Sequence, residues 1–540
     1  MERRLSEFFT QEIAEKTGFT ATDETINPLV TGLEYDSRKV KKGNLFFALP
    51  GLHTDGCLYI DDAIANGASV IVHENEVNKK NGVIYLKVKN SRFAMSPVSA
   101  SFYGFPSRRM LVTGVTGTEG KSTTVYLIWQ LLTLMGKKAG FISTVQHCLG
   151  SEVLWNSEHQ TTPEAPVVQR LLRGMADNGC EYAVLEASSH GLSKRTNRLG
   201  DVEFCSAVMT NVTHEHLEFH GTWEQYRDDK ANLFQALDFY APAVESPFSG
   251  PFGVINADDK SSLFFARATH HKTFMYSASG READVVLKAI ESCASGNWYA
   301  VFIPAKNEYI DLRDKLPGAF NAGNVLAALL TVSGLLKLPV CEIAPFVKNL
   351  KPVRGRMTAV DRKQPFEVVV DYAHTPSSFR TIYPSLRERI NKTGGRIISL
   401  FGSAGERDTQ KRAEQGKIAA DYSDIIVVTD EDPRGENPMD ILEEIAGGIT
   451  FKGNCAGNTD ETGKNVKKHK EFTRGENLFL IPDRPSAIRK AISLARPADL
   501  ILLLGKGHEN SIIYADHVMP FDEITEAEKA LSEMRCNGKL

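Results

Sequence analysis

The sequence predicts an α/β protein with more than one domain, and three observations lead to this prediction. Short apolar runs of strand length alternate with segments of helical period along most of the 540 residues. One such run begins at Met110 and leads through a glycine loop into a helical pattern that extends to Met135. After residue 352, five apolar runs each end in a charged or glycine-containing loop, which is typical of a doubly wound parallel sheet.

The length and composition indicate a globular chain of two to four domains. Apolar residues make up 42% and charged residues 24% of the sequence, which are ordinary values for a globular protein. A single hydrophobic core does not grow to 540 residues. The net charge is −4, so there is no bulk attraction to nucleic acid, and we expect no nucleic-acid partner.

The cysteines and the chain start indicate no metal knuckle, disulfide framework or membrane anchor. The eight cysteines include no CxxC pair. The first residues lack the apolar segment of a signal peptide, and no run approaches the roughly 18 apolar residues of a membrane span. We expect cytoplasmic residence and no membrane partner, and we take the chain to be a monomer.

The first 108 residues are predicted to alternate short strands with polar helices. Asn44–Leu49 and Ser69–Val72 have the apolar composition of strands. Polar loops that contain Ser37 and His53 have the composition to bind a polar ligand, although such loops are mostly just solvated. Residues 105–109, which contain Pro106, lead into the next region and are predicted to be a linker.

The loop between the first predicted strand and helix of the next region, residues 117–122 (GTEGKS), has the composition of a phosphate-binding loop. Its glycines let backbone N–H groups approach phosphate oxygens, and the helix N-terminus adds partial positive charge. Lys121 is predicted to reach the outer phosphates of a nucleotide, and Ser122 to bind Mg²⁺. A glycine-rich turn before an ordinary surface helix is the alternative. A strict pattern of this kind would carry glycine at Val115, so the spacing departs from it there.

Further predicted strands of the same region place polar residues at their carboxyl ends. They are 139–142, 182–185, 204–209 and 253–255, and a helix over Ala165–Asp177 is predicted to start from Pro163. In open α/β sheets ligands gather at these ends, so Glu186 is a candidate Mg²⁺ ligand, the alternative being a capping or surface carboxylate. His214, His216 and His220 have a spacing that can serve a metal, but a histidine cluster without further ligands is more often structural.

The last region, from residue 352, is predicted to be a doubly wound sheet with a functional rim. Its predicted strands are 367–370, 396–401, 425–428, 478–481 and 501–504. The stretch 451–475 is rich in Lys, Asn and Gly and is predicted to be an exposed insertion. A nucleotide on one domain and acceptor groups on another suggest a ligase.

Twelve segments in this order resemble the motifs of the Mur ligase family. They are TGTEGKSTT (ending at 124), TTPE (161–164), LEASSHGL (185–192), TNVTHEHLEFHG (210–221), YRDDKANLF (226–234), LPGAFNAGN (316–324), GRM (355–357), DYAHTP (371–376), FGSAGERD (401–408), DEDPRGENP (430–438), IPDRPSAI (481–488) and GKGHEN (505–510). Each motif alone is a weak signal, whereas twelve in family order cover nearly the whole chain.

The resemblance implies a three-domain Mur ligase architecture. Residues 1–108 would bind the UDP sugar, 109–351 would form a P-loop central domain that binds ATP, and 352–540 would form a Rossmann-like domain that binds the incoming amino acid. The implied reaction, in peptidoglycan precursor synthesis, joins a diamino acid to the D-Glu γ-carboxylate of UDP-MurNAc-L-Ala-D-Glu. ATP phosphorylates this carboxylate, and the amine then attacks the acyl phosphate.

The resemblance also implies roles for individual residues. The implied nucleotide-binding residues are Gly117, Thr118, Glu119, Gly120, Lys121, Ser122, Thr123, Asn256, Asn321, Asn324, Arg356, Asp371 and His374. The implied substrate-binding residues are Ser37, His53, Thr161, Thr162, Ser188, Arg198, Arg407, Asp432, Pro433, Arg434, Gly505 and Glu509. The implied catalytic residues are Lys121, Glu186, His216 and Lys230, and the implied Mg²⁺ ligands are Ser122, Glu186, His216 and Lys230 as a carbamate.

Two departures from the family pattern concern ATP and the peptide. The glycine loop usually has asparagine where this chain has Glu119, and we expect this carboxylate to point away from the triphosphate. The segment after Ser188 is two residues longer than usual, so Arg195 and Arg198 compete for the contact to the muramoyl peptide. We favour Arg198.

A third departure concerns the acceptor. Family members that add meso-diaminopimelate usually carry Asp-Asn-Pro-Arg, whereas this chain has Glu431-Asp432-Pro433-Arg434. Arg434 can pair with a carboxylate of the amino acid. Asp432 adds a negative charge that would suit a terminal ammonium, so meso-diaminopimelate, L-ornithine and L-lysine all stay open.

Two rival functions are weighed. Another amide ligase of the superfamily, such as folylpolyglutamate synthase, is disfavoured by the DPR segment together with GKGHE. A non-catalytic module that binds a nucleotide and a cell-wall precursor would tolerate loss of Lys121, Glu186, His216 or Lys230, and all four are present.

Overall fold

A computed structural model describes residues 1–19, 27–51, 55–156, 160–213, 217–241, 250–293, 296–450 and 471–536. The chain divides into two compact units. The first contains residues 1–289, 300–312 and 322–347, and the second contains residues 290–299, 313–321 and 348–540.

The amino-terminal part of the first unit is built on a four-stranded parallel sheet, in the order β3-β4-β5-β6. Apolar clusters lie on both faces of this sheet, as expected for a parallel sheet. The elements are β1 (Arg3–Arg4), α1 (Leu5–Phe8), α2 (Gln11–Thr17), β2 (Leu29–Val30), β3 (Gly32–Glu34), β4 (Asn44–Phe47), α3 (Ile60–Ala65), β5 (Val70–His73), β6 (Ile84–Lys87) and α4 (Ser91–Phe102).

Residues 111–314 contain an eleven-stranded sheet in the order β10-β9-β8-β11-β7-β12-β13-β14-β15-β16-β17. The elements are β7 (Leu111–Thr116), α5 (Lys121–Leu134), β8 (Ala139–Ile142), β9 (Gln146–Cys148), β10 (Val153–Trp155), α6 (Ala165–Asp177), β11 (Tyr182–Glu186), α7 (Ser189–Leu192), β12 (Ser206–Met209), α8 (Leu217–His220), α9 (Trp223–Ala236), β13 (Phe252–Asn256), α10 (Ser262–Ala266), β14 (Lys272–Ser277), β15 (Val285–Cys293), β16 (Gly296–Ile303), β17 (Glu308–Asp314), α11 (Asn321–Leu336) and α12 (Val340–Ile343).

Strand β7 lies between β11 and β12 and is parallel to both. The carboxyl ends of these three strands therefore meet at one edge of the sheet. The glycine loop follows β7, Glu186 ends β11, and Thr210 follows β12. The sheet order thus brings three sequence-distant segments to one place.

The second unit is built on a six-stranded sheet in the order β18-β19-β23-β20-β21-β22, in which only β18 pairs antiparallel. The elements are β18 (Thr358–Ala359), β19 (Glu367–Asp371), α13 (Pro376–Thr393), β20 (Ile397–Phe401), α14 (Gln410–Tyr422), β21 (Ile425–Val428), α15 (Pro438–Thr450), β22 (Leu478–Leu480), α16 (Arg484–Ser493), β23 (Leu500–Leu504), β24 (Ser511–Ile513), β25 (Val518–Pro520) and α17 (Glu523–Cys536). Apolar clusters fill both faces of this sheet.

The predicted α/β class with a doubly wound sheet is confirmed, and several details are corrected. Helix α6 has the predicted bounds, but the proline in its first turn is Pro166 rather than Pro163. Helix α4 is largely buried rather than polar, because it packs into the core beside the four-stranded sheet. The predicted linker includes a short 3₁₀ helix, Pro106–Arg109. Residues 451–470 of the predicted insertion lie outside the described residues.

Among the described residues, no single helix has the length and apolar character to cross a membrane. One pair of helices, Asn321–Leu336 and Val340–Asn349, meets that test only when taken together across a bend of 110°.

Candidate active site

The glycine loop leaves no room for side chains at two of its positions. Gly117 has a φ of +150° and Gly120 a φ of +84°. A Cβ atom on Gly117 would lie 1.9 Å from Thr210 Oγ1, and one on Gly120 would lie 2.5 Å from Asn324 Oδ1. Glycine is required at both positions because the neighbouring segments approach the loop backbone itself.

The segment after β12 fixes the shape of the loop. The backbone N–H of Thr118 donates to Asn211 O at 2.8 Å, and that of Glu119 donates to Asn211 Oδ1 at 2.9 Å. Thr210 Oγ1 in turn donates to Glu119 O at 2.6 Å. Lys121 opens helix α5, and its ammonium donates to Thr118 O at 2.7 Å. The lysine side chain therefore lies against the glycine loop, where it is predicted to bind the outer phosphates of a nucleotide.

A serine hydroxyl and a buried carboxylate meet beside this loop. Ser122 Oγ donates to Glu186 Oε2 at 2.8 Å, and both residues are buried. The same Glu186 oxygen accepts from the N–H of Thr144 at 2.8 Å and from its hydroxyl at 3.0 Å. These are hard oxygen donors of the kind that Mg²⁺ prefers, so the residues present fit a magnesium site.

Lys230 is buried next to the same loop. Helix α9 places its Nζ 2.6 Å from Gly117 O and 4.4 Å from the centre of the Tyr226 ring. The Tyr226 hydroxyl lies 3.0 Å from Thr118 Oγ1. Its burial and its contact with the loop backbone make Lys230 a candidate for a role at this site rather than an exposed helix lysine.

The histidine cluster is only partly described. His214 and His216 lie outside the described residues, and so does His53. His220 is buried, with Nδ1 2.8 Å from Asp229 Oδ2 and Nε2 3.0 Å from Ser189 Oγ. Over the described ranges, no group of three or more His, Cys, Asp or Glu side chains has the arrangement of a metal site.

Three of the predicted peptide-binding residues are linked directly. Thr162 Oγ1 donates to Glu186 O at 2.9 Å and accepts from the N–H of Ser188 at 3.0 Å. Arg198 Nη1 donates to Thr162 O at 2.8 Å, and its Nη2 pairs with Glu164 at 2.9 Å. The rival Arg195 instead donates to Phe219 O at 3.1 Å.

The remaining predicted site residues that precede residue 352 contact different segments of the chain. Asn256 ends β13, and its Nδ2 donates to Thr210 O at 2.7 Å. Asn324 accepts from Thr124 Oγ1 at 3.2 Å, whereas Asn321 donates to Pro317 O at 2.8 Å. Ser37 is buried at the start of a 3₁₀ helix in the amino-terminal part, where its carbonyl accepts from Asn66.

In the second unit, Asp371 ends β19 and is almost fully buried. Its carboxylate accepts from the backbone N–H groups of Met357 and Ala373, each at 2.7 Å. Burial raises the pKa of Asp371, although the Arg356 guanidinium partly opposes this. His374 Nδ1 contacts Tyr372 O at 2.9 Å, and Arg356 lies over the Tyr372 ring.

The loops after β21 and β23 form a charged cluster in the same unit, and we name them the acceptor loops (430–434 and 505–509). Lys506 is buried and pairs with Asp432 at 2.8 Å and with Glu509 at 2.5 Å. Burial alone would lower the pKa of Lys506, but these two carboxylates raise it above its ordinary value. Asp432 also accepts from the N–H of Ile513 at 2.9 Å.

Several polar atoms around the acceptor loops are buried without a hydrogen-bond partner in the described part of the chain. They include Arg434 Nε, Glu431 Oε2 and His508 Nδ1. Pro433 and Gly505 are buried beside them, whereas Arg407 is exposed. Buried polar atoms without a partner are rare in folded proteins, so these atoms mark the acceptor loops as a candidate binding surface.

Sequence reasoning missed two residues of these sites. Thr144 follows β8, which pairs with β11, so its position at a strand end was the available signal. Lys506 stands within the quoted motif GKGHEN but received no role, because its partner Asp432 is 74 residues away in sequence.

The glycine loop, its lysine and serine, and the carboxylate on the adjacent strand define a P-loop nucleotide-binding protein. Sequence models of the family match three stretches: Mur ligase family, catalytic domain, at 29–110; Mur ligase middle domain at 115–332; and Mur ligase, glutamate ligase domain, at 355–507. The chain belongs to the Mur ligase family.

Relatives match over nearly their whole lengths. The UDP-N-acetylmuramyl-tripeptide synthetase of Treponema denticola is 49% identical over 530 residues, which covers 94% of this chain and 95% of that protein. The UDP-N-acetylmuramoyl-L-alanyl-D-glutamate--2,6-diaminopimelate ligase of Caldanaerobacter subterraneus subsp. tengcongensis is 35% identical, with coverage of 93% and 95%. A solved structure of a ligase of that second name aligns with a TM-score of 0.61 at 25% identity, covering 99% of this chain and 100% of that one.

Proposed function

We propose that this protein is an ATP-dependent ligase that joins a diamino acid to the D-Glu γ-carboxylate of UDP-MurNAc-L-Ala-D-Glu. The observation that carries the proposal is the similarity, at 40–49% identity over nearly the whole chain, to proteins named UDP-N-acetylmuramyl-tripeptide synthetase. The glycine loop with Lys121, Ser122 and Glu186 supports it. Cytoplasmic residence and a monomeric state stay predictions.

In the first step a γ-carboxylate oxygen attacks the terminal phosphorus of ATP. The bond to the β-phosphate bridging oxygen breaks, ADP leaves, and an acyl phosphate forms. A carboxylate is a poor electrophile, and phosphorylation supplies it with a leaving group. The role of the chain is to hold the two anions in line and to neutralise their charge, for which Lys121 and the N-terminus of helix α5 are proposed.

Mg²⁺ would be held by Ser122 and Glu186, and by His216 in the part of the chain that the structure does not describe. Bound there, the ion would neutralise phosphate charge during phosphoryl transfer. Lys230 completes the proposed set as a carbamate. CO₂ would add to the neutral amine with release of one proton, and a second proton is released where the lysine starts as the ammonium, so that the product is an anion. Lys230 Nζ lies 2.6 Å from Gly117 O, so the carbamate would stand beside the glycine loop.

In the second step the amine of the diamino acid attacks the acyl carbon. A tetrahedral intermediate forms, phosphate leaves with the electron pair of the former carbon–oxygen bond, and the nitrogen loses a proton to give the amide. Thr162, Ser188 and Arg198 are proposed to hold the peptide, because Arg198 and Thr162 form one connected network with Glu186. Ser37 is proposed for the uridine side.

The identity of the diamino acid is not decided by the charge of Asp432. The sequence argument for ornithine or lysine assigned Asp432 a free negative charge, but Lys506 already pairs with this carboxylate. Glu509 shares the same lysine and accepts from the Tyr372 hydroxyl at 3.3 Å. Arg434 Nε is buried and has no hydrogen-bond partner among the residues that the structure describes, so it suits a carboxylate of any of the three amino acids.

The test is phosphate release with ATP, the UDP-dipeptide and each of meso-diaminopimelate, L-ornithine and L-lysine. We expect release that depends on both the UDP-dipeptide and a diamino acid, and a preference for one of the three. A non-catalytic binding module would release none. Lys121→Ala is expected to abolish release while binding of the UDP-dipeptide survives, and retained turnover in this variant would contradict the proposal.

A further inference from the structure

A fully buried ion pair lies beneath the acceptor loops. Arg484 opens helix α16 and Glu523 opens helix α17, and the side chains of both are 0% exposed. Arg484 Nε and Nη2 donate to the two carboxylate oxygens of Glu523 at 2.8 and 2.9 Å. The motif that contains Arg484 has no role in the ligation chemistry above.

Arg484 also bonds two carbonyls at the base of the acceptor loops. Its Nη1 donates to Asp430 O at 2.8 Å, and its Nη2 donates to Leu504 O at 2.7 Å. Asp430 is the first residue of one loop, and Leu504 is the last residue of β23, directly before the other loop. One guanidinium therefore connects the backbone on which Asp432 and Arg434 stand to the backbone on which Lys506 and Glu509 stand.

The connection crosses a strand. Strand β20 lies between β21 and β23 in the sheet, so no ladder hydrogen bond joins the two strands that carry the acceptor loops. Beyond the acceptor loops, the N–H of Arg434 donates to Ile513 O at 2.9 Å, but at the base of the loops the direct connection is made by the Arg484 side chain. Arginine suits this task because its planar fork presents several donors at once in fixed directions, whereas lysine presents a single point charge.

Stability alone does not account for a buried pair of this kind. Two charges lose their hydration when they are buried, and hydrophobic side chains of similar volume are often as stabilising or more so. What hydrophobic side chains cannot do is donate to the carbonyls of Asp430 and Leu504.

We propose that Arg484, held in place by Glu523, is a positioning residue that sets the distance between the two acceptor loops and thereby the affinity and selectivity for the diamino acid. This inference rests on the proposed function, because it takes the loops to bind the acceptor. Arg484 itself touches no substrate; it acts through the loop backbones.

Arg484→Lys is the test variant, and Arg387→Lys is its matched control. Arg387 donates to Gly395 O and to the Asp424 carboxylate, at the opposite ends of the strands of the same sheet. Arg484→Lys is expected to raise the KM for the diamino acid about 10- to 100-fold, as for a small misplacement of binding groups, and to reduce the discrimination among the three diamino acids. The KM values for ATP and UDP-dipeptide are expected to stay within about twofold, and Arg387→Lys is expected to leave all three KM values unchanged.

An unchanged KM for the diamino acid in Arg484→Lys would overturn the inference, as would an equal rise of all three KM values or the same effect in Arg387→Lys. The double variant Arg484→Met/Glu523→Leu guards against loss of folding, because it removes both charges together. We expect it to fold with a raised KM for the diamino acid. A normal KM in this variant would show that the carbonyl bonds are dispensable.

Amide hydrogen exchange separates this inference from the proposed function. Faster exchange confined to the acceptor loops is expected in Arg484→Lys and not in Arg387→Lys, whether or not the protein has ligase activity. Unchanged exchange there would count against the positioning role. Absence of phosphate release in the unmodified protein would instead count against the proposed function.

Discussion

Replacing Glu186 by glutamine separates a catalytic role of this carboxylate from a structural one. Its Oε2 accepts three hydrogen bonds, from Ser122 Oγ, Thr144 N and Thr144 Oγ1. The glutamine amide has the same shape, and its oxygen can take the place of Oε2 and accept all three. The substitution therefore removes the charge and leaves the network.

The magnitude follows from these contacts. A hydrogen bond to a charged acceptor exceeds one to a neutral acceptor by about 1 kcal/mol, so three bonds weaken by about 3 kcal/mol in total. A buried neutral amide costs less hydration energy than a buried carboxylate, which offsets a similar amount. We expect the free energy of unfolding to change by less than about 2 kcal/mol, whereas turnover falls about 10²- to 10³-fold, as when one group that stabilises developing charge is removed.

The assay is phosphate release with ATP, UDP-dipeptide and diamino acid over a series of Mg²⁺ concentrations, with thermal unfolding measured in parallel. Glu181→Gln is the control, since Glu181 precedes the same strand and is exposed. Turnover above one tenth of the unmodified rate in Glu186→Gln would refute the metal-binding role. A large loss of stability would refute the argument that the amide oxygen preserves the network.

Three further outcomes are expected. Gly117→Ala is expected to lower ATP affinity at least about tenfold by calorimetry, because the added Cβ would lie 1.9 Å from Thr210 Oγ1. Gly136→Ala is the control and should leave ATP affinity unchanged, because a Cβ there has no neighbour within 4 Å. Equal losses of affinity in the two variants would contradict this prediction. Lys230→Ala loses activity and recovers part of it with an added short carboxylate, since the proposed carbamate acts as an anion; no recovery at any concentration would argue against the carbamate. Burial raises the pKa of Asp430 from 3.8 to about 6. The folded protein therefore binds this proton more tightly than the unfolded chain, and the stability that the group contributes is present below pH 4 and lost as the pH rises through 6. The free energy of unfolding of Asp430→Asn should be about 1–2 kcal/mol higher than that of the unmodified protein at pH 7, and the two should be equal at pH 4. Denaturant titrations that give the same difference at both pH values would contradict this prediction.

Features that depend on local pattern could be predicted from the sequence. The strand, glycine loop and helix around Lys121 and the bounds of α6 are of this kind, because apolar period and turn chemistry act over a few residues. The α/β class could be predicted because short apolar strands and helical segments alternate repeatedly along the chain. The strands between Lys272 and Asp314 were not predicted, although alternating polar and apolar residues such as those of β17 are the pattern of a half-buried strand.

Contacts that depend on the tertiary structure could not be predicted from the sequence. Ser122 and Glu186 are 64 residues apart, and the order of β11 and β7 in the sheet brings them together. The charge of Asp432 was weighed alone because nothing in the sequence indicates that Lys506 pairs with it. The resemblance to a family supplied roles for residues, whereas their partners came only from the structure.

The role proposed for the acceptor loops gives their shared cation a consequence for attempts to exchange the amino acid that the enzyme adds. Lys506, Asp432 and Glu509 form one electrostatic unit, so a substitution at any of them changes the charge that the other two experience. Effects at contacting residues of this kind do not add. Libraries that vary one of these positions at a time would therefore leave the charges of the other two uncompensated. Retargeting the enzyme to a new acceptor calls for simultaneous changes at all three positions.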